Sequence, residues 1–190
     1  MQFDLLISAI KKGVAFDQAG FDAITARLKL VKLDKLEVWQ ESGRVTAQMA
    51  FIQSGILRQF YQKDEKEFTE LFYEPGVFIG NHLSYLNKTP SPYAIQALVP
   101  SELYVLPFAE LESFFPDFPV IEAYSEYVSE QKVLEMNDRL VSRIQDSPEE
   151  RYAQLLRNQP DVVARIPQYY IAQYLGMRPE SLSRLRKRSH

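Results

Sequence analysis

Residues 165–188, RIPQYYIAQYLGMRPESLSRLRKR, carry the pattern of two short helices joined by a tight turn. Ile171, Ala172 and Leu175 share one face of a first helix spanning about Gln168 to Leu175. Gly176 follows where the chain must turn with a positive φ, which glycine adopts without steric cost. Met177 plugs the angle between the helices. Pro179 suits the first turn of the second helix, where its missing N–H has no helical partner to lose. Leu182 and Leu185 recur at i, i+3 and point back to the core, leaving Glu180, Ser181 and Arg184 facing outward. A helix-turn-helix of this kind is the unit that sets a recognition helix into the DNA major groove.

Charge supports that reading. Residues 148–190 carry 8 Lys and Arg against 4 Asp and Glu, whereas residues 1–147 carry 14 against 21. A basic end on an acidic body is the electrostatic footprint of phosphate contact, because each neutralised phosphate releases condensed counterions. A solvated helix end with cations complementing its dipole is the simpler alternative.

Working outward, the chain has 190 residues and 46% hydrophobic content, enough for one or two small folded domains. Phe3, Leu5, Leu6, Ile7 and Ile10 form a helical stripe, and a second helix is expected near Asp17–Leu28 through Phe21, Ile24 and Leu28. From Leu30 to Leu106 the pattern is that of strands. Val45, Ala47, Met49 and Phe51 alternate with their neighbours, as do Tyr93, Ile95, Ala97 and Val99. Turn signals at Glu41-Ser42-Gly43, Gln53-Ser54-Gly55, Lys63 to Glu67 and Glu74-Pro75-Gly76 predict a compact antiparallel β-roll or jelly roll.

Beyond Pro116 and Pro119 a long helix is expected. Val120, Tyr124, Tyr127, Leu134 and Val141 lie on a 4-3 spacing interrupted by polar Gln131 and Asp138, flanked by Val133, Leu140 and Ile144. About 25 residues span nearly 40 Å, too long for a small barrel to cover, so this stripe is expected to pair with a second copy; packing on its own domain is the alternative. Ser147 as N-cap and Pro148 as N1 mark the next boundary. The predicted fold is therefore α+β, in three parts. Residues 1–116 hold N-terminal helices and an antiparallel roll, residues 117–146 a long dimerisation helix, and residues 147–190 a small all-α helix-turn-helix domain.

This layout resembles the Crp/Fnr transcription regulators over essentially the whole chain. The residues that carry the resemblance are Ile171 to Met177 followed by Pro179 to Arg184, Ser147-Pro148-Glu149-Glu150-Arg151-Tyr152, Gln53-Ser54-Gly55-Ile56-Leu57-Arg58 and Glu74-Pro75-Gly76-Val77-Phe78-Ile79-Gly80. The family commonly opens its recognition helix with Arg-Glu and places an Arg one turn later. Glu180 and Arg184 match two of these, but Pro179 replaces the first Arg. Arg184 suits a bidentate contact to guanine and Glu180 an acceptor for cytosine N4. Arg178, Arg186, Lys187 and Arg188 are read as phosphate contacts. The family also continues into a β-hairpin wing, whereas this sequence ends at His190, so fewer phosphate contacts are expected.

The resemblance also implies a cyclic-nucleotide cassette, from which the sequence departs. The family has Gly-Glu, the Glu binding the ribose, and about ten residues later an Arg that pairs with the cyclic phosphate. Here Gly80 is followed by Asn81, and Ser91-Pro92-Tyr93-Ala94 supplies no Arg. A buried phosphate without its guanidinium is very costly, so tight cyclic AMP binding is not expected. Phe78, Gly80, Asn81, His82, Tyr85, Ser91 and Tyr93 are candidates to line a pocket for another small molecule, or simply to fill the roll.

Enzyme chemistry finds little support. The only histidines, His82 and His190, are far apart, cysteine is absent, and no Gly-x-Ser-x-Gly or phosphate-cradling loop occurs. Neither metal nor cofactor is expected. No secretory signal or membrane span is recognisable, and a cytoplasmic location is expected. Implied partners are double-stranded DNA, a second copy of the chain, RNA polymerase and an unidentified small-molecule effector, with no membrane. The rival reading is a small-molecule-binding or protein-interaction module whose helix-turn-helix does not read DNA.

Overall fold

In the computed structural model, which describes residues 3–188, the N-terminal apolar stripe forms two short helices, α1 (Asp4–Ile10) and α2 (Gln18–Thr25). Asp17 caps α2, its carboxylate accepting from the amides of Ala19 and Gly20 at 3.2 and 3.0 Å. The helix stops at Thr25, short of Leu28, which still packs into the cores beneath it.

Strands follow as β1 (Lys29–Leu33), β2 (Val38–Gln40), β3 (Gln48–Ser54), β4 (Leu57–Lys63), β5 (Lys66–Tyr73), β6 (Phe78–Ile79), β7 (Ala94–Ala97) and β8 (Ser101–Pro107). They make two four-stranded antiparallel sheets, ordered β1-β8-β3-β6 and β2-β7-β4-β5. Between the sheets lies an apolar core of Leu33, Ala50, Ile52, Leu57, Ile79, Ile95, Ala97, Leu103 and Val105. Gly55 turns β3 into β4 at φ +103°, where an added Cβ would lie 2.7 Å from the Cα of Ser101.

The expected alternation is only partly realised. Val45 and Ala47 precede β3, and Val45 is exposed. Phe51 and Ile52 are adjacent yet both buried, because the roll is covered on its outside as well. Ile52 fills the interior, while Phe51 and Tyr104 meet Leu6 and Ala9 of α1. The strand-like grammar also hides α3 (His82–Asn87), which Asn81 caps through its side-chain oxygen on the Ser84 amide at 3.1 Å.

After β8 come α4 (Phe108–Ser113) and the long α5 (Pro119–Gln145), seated on the roll through Leu106, Leu111 and Ile121. No helix among the described residues is long and apolar enough to cross a membrane. The C-terminal unit comprises α6 (Pro148–Asn158), α7 (Pro160–Arg165), α8 (Gln168–Leu175) and α9 (Pro179–Arg188). Its core of Tyr152, Leu155, Val162, Val163, Ile166, Ile171, Ala172, Leu175 and Leu182 is continuous with Ile56, Phe72 and Leu98 of the roll.

Candidate nucleic-acid interface and nucleotide cassette

The C-terminal unit begins with a reciprocal cap. The Ser147 hydroxyl accepts from the Glu150 amide at 3.2 Å, and the Ser147 amide donates to the Glu150 carboxylate at 2.8 Å. Donation to this carboxylate from the Ser147 amide first, and from the Ser147 hydroxyl at 2.8 Å second, holds the Glu150 carboxyl below its ordinary range. Arg151 joins the two ends of the unit, donating to the carbonyls of Asp146 and of Leu175. At the far end of α8, Gly176 adopts φ +68° and the Met177 amide returns to the Ala172 carbonyl at 2.9 Å, closing the turn.

Helix α9 presents two faces. Leu182 is completely buried and Leu185 packs beside it. Arg178, Glu180, Arg184 and Lys187 are exposed, with Ser181 and Arg186 partly so. Among the described residues, Arg184 donates to the Ser181 hydroxyl alone, at 3.5 Å. The Arg188 side chain, with Ser189 and His190, lies outside the described residues. The outward side chains thus form a mixed polar strip dominated by cations.

The residues expected to line one pocket fall into three places. Gly80, at φ +141°, lets the chain pass 3.1 Å (measured from an added Cβ) from the Gln48 carbonyl, and delivers Asn81 inward. The Asn81 amide donates to the Ser91 hydroxyl at 3.1 Å, Gln40 donates to the same oxygen at 3.1 Å, and that hydroxyl donates to the Tyr93 carbonyl at 2.9 Å. Ser91 precedes Pro92, which stands at or next to the position of the family's phosphate-binding Arg, and its oxygen is already taken by neutral partners. Tyr93 lies elsewhere in the interior, its ring 5.9 Å from that of Tyr61 and its phenol pushed up by burial.

Phe78, His82 and Tyr85 are corrections to the expected pocket. Phe78 faces outward onto Phe51 and Tyr124, with centroids at 5.0 and 5.8 Å. His82 stacks on Phe108 at 5.0 Å, and Tyr85 donates to Glu112 at 2.9 Å, which raises its phenol. Lys88 lies over the Tyr85 ring at 3.9 Å, away from the cassette. For His82 and Tyr85 the reason is α3, in which only Ser84, beside its cap Asn81, points to the buried side; for Phe78 it is strand alternation on β6, where Ile79 takes the inward place.

Facing α5, the roll offers a polar set instead. Tyr73 donates to Gln59 at 2.7 Å, and Gln59 donates to the Glu70 carboxylate at 2.7 Å. Lys132 is partly buried on this side of α5, its ammonium lowered by desolvation. Arg139 and Glu135 of α5 act electrostatically on Tyr73, and Arg143 on Tyr61. The opposite face of α5 is apolar and uncovered, exposing Val133, Leu134, Met136, Leu140, Val141 and Ile144. The expected pairing stripe is corrected accordingly. Leu134 and Val141 stand on the free face, whereas Val120 packs on its own subunit's core, Tyr124 on Phe78, and Tyr127 against Gly13.

Arg58 of β4 was legible only as part of a turn signature, yet it is 1% exposed. Its guanidinium bonds Gln96, Thr69 and Glu67 at 2.8, 3.3 and 2.6 Å and lies against the rings of Phe60 and Tyr170. A charged residue on a strand reads as solvent-facing; nothing in the local pattern signals that α8 covers it.

Comparison with known proteins places this geometry. Residues 30–117 match the cyclic nucleotide-binding domain family. No curated protein sequence matches the chain. Among solved structures, the c-di-GMP responsive global regulator CLP of Xanthomonas campestris aligns with TM-score 0.70 at 15% identity, covering 90% of this chain and 91% of that one. A protein described as a transcriptional regulator of the Crp/Fnr family from Eubacterium rectale aligns with TM-score 0.67 at 18% identity, covering 90% and 82%. The catabolite activator protein of Thermus thermophilus aligns with TM-score 0.59 at 17% identity, covering 93% and 84%. Residues 30–117 are thus similar to the cyclic nucleotide-binding domain family, in a chain that shares its fold with these regulators.

Proposed function

We propose that this chain is a DNA-binding transcription regulator of the Crp/Fnr type, working as a homodimer, whose roll does not take cyclic AMP through its cassette. The observation that carries the reading is α9: one face seats Leu182 in the core while Glu180 and Arg184 stand exposed among Arg178, Arg186 and Lys187. A recognition helix needs its apolar side anchored and its polar side free, because base edges are read by side chains that their own subunit does not occupy. Glu180 and Arg184 read base edges, Ser181 supports them, and the flanking cations contact phosphates. RNA polymerase is the downstream partner of such a reader.

Two helices reach two half-sites only in a symmetric pair, and the uncovered apolar face of α5 supports that pairing. Against nucleotide binding stands the Ser91 hydroxyl, already taken by neutral donors from Gln40 and Asn81. A small-molecule effector for this roll is therefore one without a buried phosphate.

The test is a salt series on a mixed-sequence duplex. Affinity is expected to fall steeply with salt, and Arg186→Ala or Lys187→Ala to reduce the logarithmic slope by about 1 each. Because the dimer carries each residue twice, that is about 2 per dimer for each substitution. Charge reversal at Arg184 and Arg186 that leaves affinity unchanged would return the chain to the rival reading of a binding module with a silent helix-turn-helix.

A further inference from the structure

A buried guanidinium is expensive, because desolvating it costs several kcal/mol that only complete pairing offsets. Arg58 meets that requirement almost entirely within the roll, through Gln96, Thr69 and Glu67. Its remaining flat surface is what α8 uses. The guanidinium carbon lies 4.0 Å from the centroid of the Phe60 ring and 4.4 Å from that of Tyr170, which belongs to α8. Thr69, which accepts from Arg58, donates in turn to Gln173 of α8 at 2.8 Å. The α8 helix therefore meets the roll at a stacked ring and a hydrogen bond, three residues apart and both centred on Arg58.

The surroundings make this a seat rather than a glancing contact. Phe72 meets Tyr174 at a tilt of 45°, with centroids 5.3 Å apart, and its carbonyl accepts from Gln159 at 3.3 Å, while Ile56 and Leu98 enter the core of the C-terminal unit. Apolar contacts tolerate sliding; a planar cation between rings and a directional hydrogen bond do not. Helix α8 in turn holds α9 through Ile171, Leu175 and Leu182.

We infer that Arg58 is the positioning residue that fixes the DNA-reading helix on its own roll, by clamping Tyr170 and, through Thr69, Gln173. The inference rests on the proposal that α9 reads DNA, but the clamp itself is measurable without DNA. In this arrangement the direction of α9 is set by β4 and β5, and the joint between α5 and α6 does not swing freely.

The chain has no cysteine, so Ala164→Cys, on an exposed site of α7, takes a single acceptor label, and Trp39, the only tryptophan, serves as donor in the roll. Time-resolved energy transfer then reads the distance between roll and reading unit and its spread. Tyr170→Leu, which deletes the ring, is expected to broaden that distribution and to weaken duplex binding about tenfold, while Tyr170→Phe, which keeps the ring, restores both. Gln173→Ala removes only the Thr69 bond and is expected to broaden the distribution less; it serves should the leucine variant fail to fold. An unchanged, narrow distribution in both Tyr170→Leu and Gln173→Ala overturns the clamp. A wild-type protein that binds no duplex, but whose distance broadens on losing the ring, keeps the clamp and refutes the DNA reading instead.

Discussion

Leu140→Ala is the sharpest probe of the proposed pairing through α5. Leu140 is 58% exposed on the free face, in line with Val133 and Ile144 at spacings of seven and four. Fully burying a leucine side chain is worth about 2 kcal/mol, so a partner that covers this one gains about 1 kcal/mol from it. Two-fold symmetry counts the loss twice, giving about 2 kcal/mol per dimer, or about 30-fold in the dimer dissociation constant. Alanine is the best helix former and Leu140 belongs to none of the buried clusters among the described residues, so helix content by circular dichroism should not fall. Sedimentation equilibrium across a concentration series measures the constant directly. Ile144, 75% exposed, should behave alike. If Leu140→Ala and Ile144→Ala both leave the constant within twofold of wild type, this face of α5 is not the dimer seam.

Gly55→Ala should destabilise the roll by about 2–4 kcal/mol in urea unfolding, since the new methyl meets the Ser101 backbone in a conformation already unfavourable to an L side chain; a loss under 0.5 kcal/mol, about the noise for a neutral surface change, counts against the turn geometry. Asp146, held down by hydrogen bonds from Ser142 and then Gln154, and Glu150, held down by Ser147, both have carboxyls below their unfolded values. Their stabilising contribution is therefore intact above the ordinary carboxylate range, about pH 4, and is lost as pH falls through the lowered values. Melting temperatures from pH 7 to 3 should drop at the acid end, and less so for Asp146→Asn with Glu150→Gln; equal drops would reject the assignment. Calorimetry with cyclic AMP should show no binding at micromolar ligand; a micromolar or tighter constant defeats the claim about the cassette.

How much of this was readable in the sequence follows from where the information resides. The helix-turn-helix is locally encoded: Gly176 takes the one backbone conformation that other residues resist, and Ser147 with Glu150 forms a cap from four consecutive residues. Helix α8 accordingly spans the expected Gln168–Leu175. By contrast, α3 is a short helix of weak intrinsic propensity, made by a cap at Asn81 and by the Ser84 hydroxyl, which accepts from the amide of Thr46, 38 residues away in sequence. The role of Arg58 depends on Tyr170, which no local periodicity connects to β4. In α5 the stripe was visible, but its first half covers the roll and only its second half is free, because from Lys132 onward polar side chains such as Glu135, Arg139 and Arg143 take the side turned to the roll.

The cassette shows why keeping a site's shape differs from keeping its chemistry. Gly80 is required by the backbone, since an added Cβ would crowd both the Gln48 carbonyl and the Phe108 ring. Asn81 is required by α3, whose first turn it caps. Neither demand involves a ligand. Where a guanidinium and carboxylate would have needed an anion and a ribose to satisfy them, the Ser91 hydroxyl is satisfied by Gln40 and Asn81, with the Gln40 Oε1 alone among the three side chains left buried without a partner among the described residues. One unpaired neutral acceptor costs far less than an unpaired buried charge, so this network tolerates the lack of an occupant where an ionic site does not. The roll can therefore hold its form with nothing bound and serve as a rigid support, with α5 on one side and, through Arg58, the reading unit on another. A roll of that kind predicts that duplex affinity is the same with and without added cyclic AMP, because a ligand with no differential affinity for two states shifts neither. Retardation assays at fixed salt decide it: a change beyond twofold on adding the nucleotide would mean that the cassette still governs the reader.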